Sequence, residues 1–251
     1  MDWHMAARSQ LLKDAPRKRP RNDNQEAADW VYGQISDAIL EQRLAPGTKL
    51  GEEQLGDIFA VSRPVVRRAL MRLAYDDVVE IRPHRGAFIA SPTVEQARQV
   101  FQARRVVEDA IVRVCAERVG RQDVTRLRQM VATEQEAARA GQRGRWVRLS
   151  GEFHLVLADL AGNQPLLRFL RDLVAQTSLI IGLYGRGSAS TCCQTDHERI
   201  TAAIAAGDGE AAASIMHDHL NECEAALHMQ DDREKQDLKA IFAHVRRSAG
   251  S

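Results

Sequence analysis

Residues 61–73 read VSRPVVRRALMRL, and this stretch decides the fold of the N-terminal part of the chain. Ser62 is a residue type that caps helices by accepting a hydrogen bond from a free amide of the first turn. Pro64 fits that first turn, because its missing amide hydrogen costs little there. The apolar residues recur at helical spacing, at Val66, Leu70 and Leu73. The stretch therefore predicts a short helix with one face for packing.

Another side of this helix carries four arginines. Arg63 and Arg67 are four residues apart, and Arg68 and Arg72 repeat that spacing beside them. Such rows can contact DNA phosphates and base edges. For an isolated helix a solvated basic face is the simpler interpretation. The neighbouring sequence reverses that preference.

That neighbouring sequence predicts a winged helix-turn-helix. Helical spacing predicts helices at 27–40 and 52–59, and only a tight connection separates the second from the arginine helix. Alternating residues then predict two strands, at 78–82 and 87–90. The link between them, Pro83-His84-Arg85-Gly86, is a basic hairpin tip. Two helices, an arginine helix and a basic hairpin together describe a winged helix-turn-helix.

The chain beyond Ser91-Pro92, which we interpret as a linker, reads as helix. Six helices are predicted, at 94–119, 124–140, 145–161, 165–183, 196–206 and 210–229. Short turns separate them, which predicts an antiparallel bundle. A seventh helix is predicted near Phe242, packed on its own chain or on a partner. The protein is thus mostly α, with a disordered basic arm at 1–24, the DNA-binding domain at 25–91, the bundle at 92–230 and a C-terminal helix or tail at 231–251.

Composition limits the classes of protein. The net charge of +1 over 251 residues means that nucleic-acid binding must come from local clusters of charge. No apolar run is long enough to span a bilayer, and no signal-peptide core is present, so a cytoplasmic protein without membrane association is expected. Four cysteines do not make a disulfide framework in a chain of this size. Cys192 and Cys193, placed in a predicted loop, are interpreted as a reduced pair, with sensing of thiol-reactive compounds as the alternative.

Polar residues interrupt the inward faces of the predicted bundle. Arg104 occupies a place in an otherwise apolar stripe, where a guanidinium must find an anion. An internal salt bridge with Glu108 and a role in ligand binding are equally favoured. Three histidines lie on inward faces of separate helices, namely His154, His197 and His219. Neutral imidazoles can converge on a divalent metal, although spacing alone favours satisfied core histidines.

The segment 30–90 resembles the DNA-binding domain of GntR-type bacterial repressors. The resemblance is carried by LAPGTKL at 44–50, VSR at 61–63, VR at 66–67, AL at 69–70 and RG at 85–86. It implies that Arg63 and Arg67 contact operator bases or phosphates and that the wing enters the minor groove. The predicted DNA-binding residues are Lys49, Ser62, Arg63, Arg67, Arg68, Arg72, His84, Arg85 and Gly86. Asp77 stands where the family commonly has glycine, and Asp can enter the left-handed region of the backbone.

The bundle resembles the FCD effector domain of the FadR-type branch of the same family. The matching residues are Arg104 with Glu108, Phe153-His154 before Gly162-Asn163, His197-Glu198, Gly207-Asp208 and His219-Leu220. The resemblance implies effector binding at Arg104, Glu108, Ser150 and His154, and a metal held by His154, His197 and His219. Many members also hold the metal with an Asp, and here Ser150 stands in its place. A hydroxyl is a poorer ligand, so the metal expected, if any, is zinc or nickel.

The favoured hypothesis is a ligand-responsive transcription factor, a repressor that releases or alters its operator binding when a small organic acid binds the bundle. As a homodimer it would place two arginine helices in successive major grooves of a near-palindromic operator in double-stranded DNA. One alternative is a metal-dependent hydrolase that uses the three histidines as catalytic zinc sites do. Against it, the sequence shows no nucleophile motif and no obvious general base. A third hypothesis is a nucleoid-structuring protein that binds DNA with little sequence preference.

Overall fold

The computed structural model describes residues 24–185, 191–229 and 237–247. These residues form two compact units, one made of residues 24–92 with 237–247, the other of residues 93–229. The mostly helical fold class is confirmed. The predicted basic arm lies outside the described residues, apart from its last position. None of the described helices is long and apolar enough to cross a membrane.

The first unit is a winged helix-turn-helix. Its N-terminal helices are α1 (Asn24–Leu40), α2 (Glu52–Phe59) and α3 (Arg63–Tyr75). Its strands are β1 (Lys49–Leu50), β2 (Val79–Arg82) and β3 (Gly86–Ile89), which pair antiparallel in the order β1-β3-β2. The strand β1 was not predicted, since two residues are too few to show alternation. The other elements follow the prediction closely.

The start of α3 differs from the prediction in one detail. Ser62 holds the N-cap position, but its side chain makes no capping hydrogen bond, so the predicted hydroxyl cap is wrong. An N-cap hydroxyl bonds to the second or third amide of the helix. Pro64 at the second position has no amide hydrogen, and the Val65 N–H donates to the Ser62 carbonyl oxygen at 3.0 Å. The Ser62 hydroxyl therefore stays exposed beside the arginines.

Left-handed backbone positions shape the turns around the wing. Asp77, between α3 and β2, has a φ of 56°, as expected from the ability of Asp to enter this region. His84 and Gly86 at the hairpin tip have φ values of 58° and 93°. The tip residues are exposed, so the hairpin presents its basic side chains to solvent.

The C-terminal segment packs on the first unit. It forms two short helices, α10 (Leu238–Ile241) and α11 (Ala243–Arg247), both of which contact α2. Phe242 between them is fully buried, with its ring centroid 5.0 Å from that of Phe59. Of the two partners left open by the sequence, the segment packs on its own chain.

The second unit consists, in its described part, of six helices. They are α4 (Val94–Arg118), α5 (Arg121–Arg139), α6 (Arg143–Leu160), α7 (Gln164–Tyr184), α8 (Thr191–Ala205) and α9 (Gly209–Ala225). Local signals start several of them. Thr93 and Gln96 form a capping box before α4, and the Asn163 and Asp208 side chains cap α7 and α9. The core includes Phe101, Phe153, Leu170 and Leu220.

Two helix boundaries in the bundle differ from the prediction by four residues or more. The helix α8 begins at Thr191, so Cys192 and Cys193 lie within a helix and the prediction of a loop is wrong. The helix α9 ends at Ala225, four residues early. Leu227 forms an isolated bridge with Gly185 at the end of α7, and this pairing replaces the last helical turn.

Candidate functional site

The exposed face of α3 carries two arginines that are paired with acids of α2. Arg63 lies 2.6 Å from Glu53, and Arg67 donates to both carboxylate oxygens of Glu52 at 2.9 and 2.7 Å. The hydrogen bond from Arg67 lowers the pKa of Glu52. Exposed ion pairs contribute little to stability. The two guanidinium groups can therefore exchange these acids for DNA phosphates at small cost.

The other two arginines of α3 are engaged by α1. Arg72 pairs with Asp29, and its guanidinium lies 5.1 Å from the centroid of the Tyr32 ring. The exposed Arg68 donates to the side-chain oxygen of Gln25 at 3.3 Å. Arg72 is half-buried and helps to hold α1 against α3, so it is less free to contact DNA than Arg63.

The predicted wing residues lie on the same unit as α3. Lys49 on β1 is exposed, as are His84, Arg85 and Gly86 at the hairpin tip. The Arg85 guanidinium lies 5.9 Å from the centroid of the Phe88 ring. This hairpin therefore carries positive charge into solvent, as a wing that approaches a DNA groove requires.

The three inward histidines come together in the second unit. His154 of α6, His197 of α8 and His219 of α9 offer ligand atoms that all lie within 4.8 Å of one another. Each side chain is at most 2% exposed. Three nitrogen atoms this close together form the histidine cluster.

Each histidine of the cluster has a carboxylate at its Nδ1. The distances are 2.5 Å from Glu108 to His154, 2.7 Å from Glu134 to His197, and 3.5 Å from Asp196 to His219. The contacts at His154 and His197 are hydrogen bonds, and a neutral imidazole that donates from Nδ1 keeps its lone pair on Nε2. Histidines that bind metals are typically oriented by a carboxylate in this way.

Two of these acids were not predicted from the sequence. Glu134 is 3% exposed and lies on α5, and Asp196 precedes His197. Glu134 continues the apolar stripe of Val124, Leu127 and Val131 at steps of three and four residues. An acid at the next inward position of a helix was therefore a detectable signal for a buried partner.

Burial and charge set the protonation states of His154, His219 and Glu108. Burial lowers the pKa of His154 to about 3, against the opposing effect of Glu108. Burial likewise lowers the pKa of His219. Burial alone would raise the pKa of Glu108, but Arg104 and His154 hold it at about 2. At neutral pH the structure therefore presents neutral His154 and His219 imidazoles, the form that binds metals.

Arg104 makes the internal salt bridge considered from the sequence. Its Nε donates to Glu108 Oε1 at 2.6 Å, and the whole residue is 3% exposed. The Arg104 Nη2 atom has no hydrogen-bond partner among the described residues. A buried donor without a partner is energetically costly. The Arg104 guanidinium can therefore bind a further acceptor while it keeps the salt bridge to Glu108.

A small cavity, partly open to solvent, borders the histidine cluster. Its polar lining includes Arg104, Ser150, His154, Thr177, Ser178, His219 and Cys223. Trp146 and several aliphatic side chains form the rest of the wall. A small cavity with apolar walls, a cation and a few hydroxyls suits a small organic anion.

The histidine cluster also fits a divalent metal. The Nε2 atom of His197 is buried and has no hydrogen-bond partner among the described residues. Native structures rarely leave such an atom unsatisfied. A metal held by His154, His197 and His219 would use this lone pair.

The fold and the site define a class of protein, in which a winged helix-turn-helix accompanies a helical domain with a cavity beside a buried histidine cluster. Comparison with known families agrees with both parts. Residues 27–89 match the model for bacterial regulatory proteins of the gntR family, and residues 99–222 match the FCD domain. The chain belongs to the GntR family of bacterial regulatory proteins and carries an FCD domain.

Individual relatives are regulators as well. The chain is 27% identical over 202 residues to the HTH-type transcriptional repressor RspR of Escherichia coli, which covers 80% of this chain and 89% of the relative. It is 29% identical to the HTH-type transcriptional regulator LutR of Bacillus subtilis, over 75% of this chain and 95% of the relative. A crystal structure of a GntR transcriptional regulator from Rhodococcus sp. RHA1 matches with a TM-score of 0.66 and 26% identity, over 79% of this chain and 95% of that one. None of these similarities supports the hydrolase hypothesis.

Proposed function

We propose that this regulator is a repressor that binds operator DNA as a homodimer and changes its DNA affinity when a small organic acid enters the cavity beside a metal-loaded histidine cluster. The observation that carries the proposal is the cavity, where a buried guanidinium with a spare donor lies beside neutral imidazoles. A second copy of the chain supplies the second winged helix that a near-palindromic operator requires.

DNA binding rests on the α3 face and the wing. Arg63 and Arg67 are exposed and lie four residues apart, so both can reach the major groove. The exposed Ser62 hydroxyl can donate to a phosphate next to them. Lys49 and the tip residues His84 and Arg85 would follow the backbone or the minor groove.

Effector binding rests on Arg104 and the metal. His154, His197 and His219 would hold the ion, which supplies positive charge close to the bound acid. The Arg104 guanidinium would pair with a carboxylate of the effector through its free Nη2. Ser150, Thr177 and Ser178 offer hydroxyl groups to further oxygens of the effector.

The test is a selection of binding sites from a pool of random duplex DNA by the full-length protein. We expect enrichment of a motif that is repeated with two-fold symmetry. Arg67→Ala should weaken binding to this motif by about 1–3 kcal/mol, the range for the loss of a good base contact. Arg139→Ala, an exposed arginine on α5, is the matched control and should bind normally.

Two outcomes would contradict the proposal. A pool without an enriched motif would indicate a nucleoid-structuring protein. An Arg67→Ala variant with wild-type affinity for the selected motif would show that the α3 face does not contact DNA.

A further inference from the structure

Cys223 lies one helical turn after His219 on α9, so the two side chains share a face of the helix. Its Sγ is 3.8 Å from His219 Nε2, and both residues line the cavity together with His154. We propose that Cys223 is the fourth protein ligand of the metal held by the histidine cluster, an inference that rests on the metal site of the proposed function.

The distance between the sulfur and the nitrogen supports this assignment. In a tetrahedral zinc site, bonds of about 2.3 Å to sulfur and about 2.0–2.1 Å to nitrogen place the two ligand atoms about 3.5–3.6 Å apart. The observed 3.8 Å is close to that separation. Cys223 is not part of the group whose ligand atoms all lie within 4.8 Å of one another.

Among the side chains that line the cavity, Cys223 is the suitable fourth ligand. Arg104 is a cation, and Ser150 carries a neutral hydroxyl, which binds such metals weakly. A cysteine thiolate is among the strongest protein ligands for zinc and similar ions. The buried Nε2 of His197, which has no hydrogen-bond partner among the described residues, points independently to an ion at this place.

The ligand set has chemical consequences. On binding, the Cys223 thiol loses its proton to solvent and the thiolate forms the metal–sulfur bond. Three imidazoles and a thiolate favour zinc, cobalt or nickel over magnesium or manganese. With Cys223 as a fourth protein ligand, the Arg104 guanidinium would be the group that pairs with the effector carboxylate.

The experiment is a cobalt(II) titration of the reduced, chelator-stripped, full-length chain. All the proteins in this titration also carry Cys192→Ser and Cys193→Ser, which remove the two thiols that precede His197 in the sequence. We expect a near-ultraviolet charge-transfer band from thiolate to cobalt and intense visible bands typical of tetrahedral cobalt. Cys223→Ser should lose the charge-transfer band and bind cobalt at least about tenfold more weakly. Substitution of residues that only hydrogen-bond to metal ligands already lowers metal affinity by about tenfold or more. Thermal melting of both proteins checks that the substitution leaves the fold intact.

The outcomes separate the two proposals. Tight cobalt binding without the charge-transfer band would overturn Cys223 as a ligand and leave the histidine site in place. The absence of cobalt binding would overturn the metal site and Cys223 together. Retention of the band in Cys223→Ser would assign the sulfur to another cysteine and overturn the proposal.

Alkylation of the wild-type chain gives a test without substitution. Saturating zinc should slow the reaction of Cys223 with iodoacetamide. Mass spectrometry of the peptides measures the rate of this reaction. Cys115 serves as an internal reference, because burial raises the pKa of its thiol to about 12 and its Sγ contacts the Leu157 carbonyl oxygen. Equal labelling of Cys223 with and without zinc would contradict coordination.

Discussion

At the scale of single residues, His219 and His217 are a matched pair on α9. His219 is buried in the histidine cluster, whereas His217 is exposed two residues earlier. Calorimetric titration of zinc or nickel into chelator-stripped protein should therefore show binding that His219→Ala weakens by at least about tenfold, while His217→Ala leaves it unchanged. Equal, weak heats for all three proteins would mean that the histidines are core residues without a metal.

Ser150 offers a second prediction at this scale. It lies one turn before His154 on α6 and lines the cavity, so an Asp at this position would direct a carboxylate toward the cluster. Ser150→Asp in the Cys223→Ser background should restore metal affinity lost with the thiol, because a carboxylate is also a good ligand for zinc. The charge-transfer band of cobalt should not return, since no sulfur is added. Unrestored affinity would mean that position 150 cannot reach the ion.

At the scale of elements, α2 supplies the acids that pair with Arg63 and Arg67 of α3, the two arginines that we propose contact DNA. Glu52 binds Arg67 with two hydrogen bonds, and these bonds must break when Arg67 binds DNA. Glu52→Gln should therefore raise affinity for operator and for random duplex by a few-fold, as expected for an exposed ion pair. Fluorescence anisotropy with both duplexes at two salt concentrations measures the change. Glu95→Gln, which removes a similar exposed pair with Arg98 on α4, should have no effect.

The elements also show which parts of the fold a sequence can predict. The start of α4 was predicted at position 94 from the break at Ser91-Pro92, and the structure places it there, behind a capping box of Thr93 and Gln96. The end of α9 was misplaced because it depends on the bridge between Leu227 and Gly185, a contact across the bundle. Contacts between residues distant in sequence are not encoded in helical periodicity.

The same reasoning applies to the candidate site. The spacing of the three histidines predicted that each lies on the inward face of its helix. The packing of the helices in the bundle then brings the three side chains together. The pairing of Glu134 with His197 across two helices was not predictable, because spacing shows which face a residue is on and not which residue covers it. In the same way, a helix was predicted near Phe242 with its partner left open, and the packing of Phe242 against Phe59 appears only in the structure.

At the scale of the whole molecule, the proposed function requires that a ligand in one unit changes the DNA affinity of the other. This coupling can be tested at Arg104, because Arg104 forms the salt bridge with Glu108 and also lines the cavity. Arg104→Ala would leave Glu108 as a buried anion that has lost its guanidinium partner. Breaking a buried pair in this way should lower the free energy of unfolding by about 3–5 kcal/mol. That variant alone cannot separate stability from ligand binding.

The double variant Arg104→Met/Glu108→Gln separates them. It removes both charges at similar volume, and the glutamine oxygen can still accept the hydrogen bond from His154 Nδ1. We expect near wild-type melting temperature and operator affinity, because replacing both partners of a buried pair is often neutral. Release of the selected operator by a panel of small mono- and dicarboxylic acids should be seen with the wild-type chain and be lost in the double variant. A double variant that melts normally and still releases the operator at the same acid concentration would show that Arg104 is structural and that the effector binds elsewhere.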